Sequence, residues 1–121
     1  MATKTEQLKD VMNAVRTELP DAEISIVASD GTMFASTVTG SEATRIGAMI
    51  STIIGLSRKA CQALKRGEAS EALLKGSEGF IAIYPAGNKA NLGVTTKTDI
   101  NLGMLNLVGR EAADKIQAIL D

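Results

Sequence analysis

The chain contains no histidine and a single cysteine. That removes the commonest general base, the Ser-His-Asp arrangement and most metal sites. Cys61 has no second cysteine at Cys-x-x-Cys spacing and falls on an apolar helix face, so a buried, reduced thiol is expected. Serine–lysine chemistry stays open in principle, but no serine stands at a nucleophile elbow. Ser29-Asp30-Gly31 resembles the start of a metal loop, yet no further acids follow at calcium-ligand spacing, and it reads as a turn. Gly87-Asn88-Lys89 lacks the Gly-x4-Gly-Lys-Ser/Thr spacing of a phosphate cradle and does not open directly into a helix; it too reads as a hairpin turn. Arg58, Lys59, Lys65 and Arg66 are the one local charge bias, either a solvated helix face or a docking surface for an acidic partner. The expectation is a protein with no catalytic residues, no cofactor and no metal.

What must position these residues is a single domain spanning 1–121, long enough for a core without disulfides. Hydrophobic residues make up 45% but aromatic ones only 2%, so that core is aliphatic. A formal charge of −1 gives no basis for nucleic-acid binding. With no signal peptide, no apolar run long enough to span a bilayer and no disulfide framework, a cytoplasmic location is expected.

Residues 41–67 dominate the pattern. Ser41 stands as a cap, Glu42 lies in the first turn, Lys65 and Arg66 come at the end, and Gly67 takes the left-handed position. Ile46, Ile50, Ile53, Ile54, Ser57, Cys61 and Leu64 form one stripe; Met49, Leu56, Ala60 and Ala63 form a second beside it. Together they cover about 200°, near twice the arc one core requires. A helix so broadly apolar is buried on two sides, and in a small domain the second side is often another copy of itself. Gly47, Ser51 and Gly55, four apart, make a small-residue strip on its flank, the usual mark of another backbone approaching closely.

The flanking elements follow from periodicity. Residues 3–19 read as an amphipathic helix with a Thr3–Glu6 capping box, ended by Pro20. Residues 22–28 and 32–38 read as a hairpin around Asp30-Gly31, with Ile24 and Ile26 on one face and Val27 on the other. Residues 70–75, 79–86 and 90–96 read as three more strands. Phe80, Ala82 and Tyr84 oppose Ile81 and Ile83, and Pro85 marks a strand end. Residues 100–120 form a last helix with Leu107 off its apolar face. The order α-β-β-α-β-β-β-α defines an α+β sandwich: a five-stranded antiparallel sheet, terminal helices on one face, the central helix on the other.

That layout resembles the roadblock (dynein light-chain) family, including its MglB-like regulators of small Ras-like GTPases. Three features carry the resemblance: the Ser-Asp-Gly hairpin followed by a small-residue-rich long helix, the hairpin GFIAIYPAGNKANLGV, and Ile100-Asn101-Leu102-Gly103-Met104-Leu105 entering the last helix. The resemblance implies a homodimer, or a heterodimer with a related chain, in which central helices pack together and the 70–75 strands join two sheets. It also implies binding and regulating a small Ras-like GTPase, or scaffolding. A GTPase supplies its own Mg²⁺, phosphate loop and water-orienting residue, so a rigid dimer acts by holding switch segments.

Placed by periodicity, the dimer residues are Met49, Ile53, Leu56, Ala60, Ala63 and Leu73. The partner-docking residues are Arg45, Thr52, Arg58, Lys59 and Arg66. Arg45, Arg58 and Arg66 are also the candidates for an arginine finger, although positioning is the preferred mechanism. Two readings compete with the regulator: a structural light-chain-like adaptor, and a small-ligand sensor of profilin-, longin- or PAS-like build. The sensor requires polar groups converging on a cavity, and the core faces show almost none.

Overall fold

Thr3 opens the first helix as its context predicts: its hydroxyl accepts the Glu6 N–H at 3.2 Å, satisfying one orphan donor of the helix start. The computed structural model describes residues 2–121. Its elements are α1 (Lys4–Glu18), β1 (Glu23–Ala28), β2 (Met33–Ser36), α2 (Ser41–Ala63), β3 (Ala72–Gly76), β4 (Gly79–Ala86), β5 (Ala90–Lys97) and α3 (Leu102–Leu120). This is the expected α+β order.

The five strands form one sheet in the order β2-β1-β5-β4-β3, antiparallel throughout. Burial explains the order. Ile24–Val27 and Ala90–Val94 are buried at every residue, so β1 and β5 sit where both sheet faces are covered. The shorter β2 and β3 fall to the edges. Ile24, Ile26, Ala82, Tyr84, Leu92 and Val94 face α1 and α3, where they meet Leu8, Val15, Leu105 and Ile116 in the main core. Val27 and Ile83 face the other way and meet Ile50 and Ile54 of α2. Burying each of these α2 isoleucines contributes roughly 1.5–3 kcal/mol.

Several boundaries differ from the sequence reading, each for a local reason. The cap of α2 is Gly40, with φ +72°, and Ser41 is already helical. At the other end the helix stops at Ala63, and Lys65 rather than Gly67 takes the first left-handed position, with φ +57°. The Arg66 N–H donates to the Cys61 carbonyl at 2.7 Å and the Lys65 N–H to that of Gln62 at 3.2 Å, a Schellman closure. Lys65 and Arg66 therefore lie beyond the helix. Leu64 ends up exposed, and Cys61 is half-buried rather than sequestered. Pro85 lies inside β4, paired with Asn91. It is tolerated because β3 pairs only as far as Ile83, leaving no neighbour there to receive an N–H.

The core faces are also not wholly apolar. Ser25 is buried with its hydroxyl 3.0 Å from that of Ser36, and Asn91 is buried with no partner for its amide among the described residues.

Candidate interface on the central helix

The two stripes of α2 have different fates. Ile50 and Ile54 are buried, Ile46 and Ile53 pack partly against them, and Ser57 is half-buried. The second stripe faces outward: Met49 is 49% and Leu56 67% exposed, and Ala60 and Ala63 are exposed. Met49, Ile53, Leu56, Ala60 and Ala63 follow one another at intervals of four, three, four and three, the repeat that keeps a single seam facing a partner helix. The structure brings these five predicted residues together along one ridge, with Ile53 at its inner border.

Leu73 is placed differently. It pairs with Ala82, whose side chain is in the terminal-helix layer, so Leu73 belongs to the face opposite α2. The sheet residues on the α2 side are Leu74 and Ile81, which continue the column of Ala72 and Ile83 past the end of the α2 cover. They are 45% and 37% exposed. Sequence reasoning missed both as interface candidates. The alternation of Ile81 with Phe80 was visible, but the register of β3 was needed to bring Leu74 beside it. β3 pairs only with β4, so its outer edge is open beside this apolar ground.

The predicted docking residues divide into three places. Arg45, Thr52 and Lys59 recur every seven residues on an exposed ridge beside the apolar stripe. Arg45 is paired with Glu42 at 2.9 Å, and the Thr52 hydroxyl donates to the Ala48 carbonyl at 2.8 Å. Arg58 is half-buried on the other flank, in a polar cleft with Gln62, Glu68, Pro85 and Asn88. Arg66 stands past the helix end, its guanidinium 3.3 Å from the Lys65 carbonyl.

Elsewhere, Arg110 of α3 holds Glu71, just before β3, in a two-point ion pair with Nε–Oε2 at 3.0 Å and Nη2–Oε1 at 2.5 Å. The guanidinium's hydrogen bonds keep the Glu71 carboxyl below its usual range. Burial, reinforced by the Glu71 charge, pushes the Tyr84 phenol up to about 12. Its hydroxyl donates to Asn106 Oδ1 at 2.7 Å. Asp30 is held low by hydrogen bonds from Thr32 that close the β1–β2 turn. Among the described residues no group of three or more His, Cys, Asp or Glu could hold a metal ion, and no helix is long and apolar enough to cross a membrane.

The chain is thus a three-layer α/β/α sandwich whose middle helix carries an exposed apolar seam. Residues 17–96 match the Roadblock/LC7 domain, and the chain belongs to that family. The match covers all of α2, and with it every part of the seam, and the sheet except for the last residue of β5. The chain is 32% identical over 95 residues to protein MJ0310 of Methanocaldococcus jannaschii, covering 78% of this chain and 82% of that one. Its fold is shared by solved structures, of which three serve as examples. The gliding protein MglB from Thermus thermophilus superposes with a TM-score of 0.86 at 14% identity, over 98% of this chain and 92% of that one. An MglB with tetrameric arrangement gives 0.87 at 15% identity, over 98% and 91%. A Roadblock/LC7 domain from Streptomyces avermitilis gives 0.85 at 15% identity, over 91% and 94%.

Proposed function

We propose that this chain is a non-enzymatic regulator or scaffold of a GTPase pathway, working as a homodimer that binds a small Ras-like GTPase. The observation that carries this reading is the four-three-four-three apolar seam, left open by the protomer, on a domain of the Roadblock/LC7 family. Its bulk is graded: Met49, Ile53 and Leu56 are large, Ala60 and Ala63 small.

Two seams laid parallel put large on large at one end and alanine on alanine at the other, with a void between. Laid antiparallel about Leu56, they set Met49 against Ala63 of the second copy and Ile53 against Ala60, which fills the space evenly. A parallel arrangement would also oppose Lys59 to Lys59, which the antiparallel one avoids. Pairing also sets the open β3 edges and the Leu74–Ile81 ground within reach of each other.

Such a dimer presents two ridges of Arg45, Thr52 and Lys59 beside the seam, a basic platform of fixed spacing. By binding one arrangement of the GTPase switch segments better than another, it shifts their populations without contributing a reacting group. Arg58, half-buried on the far flank, is poorly placed to act as a finger. A structural adaptor would share the pairing and differ in what the platform receives.

The test is calorimetric titration of the protein with a small Ras-like GTPase of the same organism, loaded with GDP or with a non-hydrolysable GTP analogue. Preference for one loading, and at least about tenfold weaker binding for Arg45→Glu with Lys59→Glu, is the expected result, about 1.4 kcal/mol. Equal affinity of that variant removes the platform; no binding in either state removes the GTPase reading.

A further inference from the structure

We propose a second docking site on the layer opposite α2: the groove between α1 and α3, shaped and charged for a basic amphipathic helix of another protein. Its floor includes Val11, Val15, Met104 and Leu107, around about 290 Å³ of open space. Leu107 is 55% and Met104 37% exposed, and both line the groove instead of scattering over the surface. That space suits side chains offered one helical turn apart rather than a compact ligand, and a flexible methionine lets the floor adapt to them.

The ridges select the sign of the partner. Glu18 lies on the exposed side of α1, and Glu111 rises from α3 one turn beyond Leu107; both line the groove. Against these two acids the lining sets one base, Lys115. None of the three takes part in an ion pair among the described residues. An apolar strip flanked by lysine or arginine satisfies both parts of the surface, with the charges steering encounter and the apolar anchors supplying residence. The groove is on the face α2 does not use, so pairing through α2 leaves it free, and a dimer would carry two. This site stands or falls independently of any GTPase.

The test uses the full chain and a fluorescent amphipathic helical peptide carrying leucines at i, i+3, i+4 and i+7 with lysine flanks. A second peptide has glutamate in place of every lysine. Anisotropy should show the lysine peptide binding, at least about tenfold weaker with Glu18→Lys and Glu111→Lys together, lost with Leu107→Glu, and weakened by salt. Leu107 is exposed enough that its replacement leaves folding intact, which circular dichroism checks. Equal binding of the two peptides, no binding, or binding indifferent to Leu107→Glu overturns the proposal. So does light scattering that shows the protein alone assembling through this face and Leu107→Glu reversing it, since the occupant would then be a second copy.

Discussion

Gly47 of α2 stands directly against Gly31 of the β1–β2 turn: a Cβ on Gly47 would run into the Gly31 carbonyl oxygen. The next rung is tied as well, the Ser51 hydroxyl donating to the Ser29 carbonyl at 3.0 Å. The backbone that approaches the small-residue strip is thus the protein's own turn. Gly55, the third member, faces open space. Gly47→Ala should destabilise by about 1–3 kcal/mol despite alanine's better helix propensity, because the obstacle is backbone. Gly55→Ala should stabilise by about 0.4–1 kcal/mol. Urea denaturation of the two variants checks the contrast, and a destabilised Gly55→Ala would mean that something else approaches there.

Tyr84 predicts an alkaline signature. Its phenol is pushed up to about 12 by burial, while in the unfolded chain it titrates near 10. Between those values the unfolded state has released a proton that the folded state retains, so stability is full below pH ~10 and falls as pH rises toward 12. Tyr84→Phe should flatten that part of the stability–pH curve. At neutral pH it should cost about 1 kcal/mol for the lost bond to Asn106. An unchanged slope between pH 10 and 12 would show that Tyr84 is not the group responsible.

Glu71 and Arg110 work at the acid end. The carboxyl is held low, so the stability it adds is present above the usual carboxylate range and is lost as pH falls through its folded value. Arg110→Gln should return Glu71 toward its ordinary titration, followed by carboxyl NMR, at a cost below about 1 kcal/mol because the pair is partly exposed. A Glu71 midpoint that does not move upward would mean the ion pair is not formed in solution.

The direction of the proposed pairing is separable from its existence. In a Cys61→Ser background, Leu56→Cys should oxidise to a linked dimer, and Met49→Cys should link only when Ala63→Cys is also present. Disulfides require Cα atoms within roughly 7 Å, so efficient linkage by Met49→Cys alone would establish a parallel arrangement. Non-reducing electrophoresis reads the result.

The layers were legible in the sequence because each element carries a clean period. Ile24 and Ile26 against Val27, and Ala82 and Tyr84 against Ile83, assign the two sheet faces by alternation alone. The seam on α2 was legible for the same reason. Less legible was anything that depends on which strands become neighbours. The isolation of Leu73 from the seam and the arrival of Leu74 and Ile81 beside it follow from the β3–β4 register, which no local pattern encodes. The buried amide of Asn91 follows likewise from β5 taking the centre of the sheet. Arg58 and Lys59 looked equivalent as neighbours in sequence. The helical turn between them sends one to the cleft and leaves the other on the outer ridge.

The central claim is that the exposed seam of α2 joins two copies of this chain, and the most direct measurement is the solution mass by light scattering, with and without Leu56→Asp. Leu56 is 67% exposed in the protomer, so the substitution leaves the internal core untouched. The account predicts a dimer for the unaltered protein and a folded monomer for the variant. A folded monomer from the unaltered chain, or a dimer that tolerates aspartate at position 56, would contradict it.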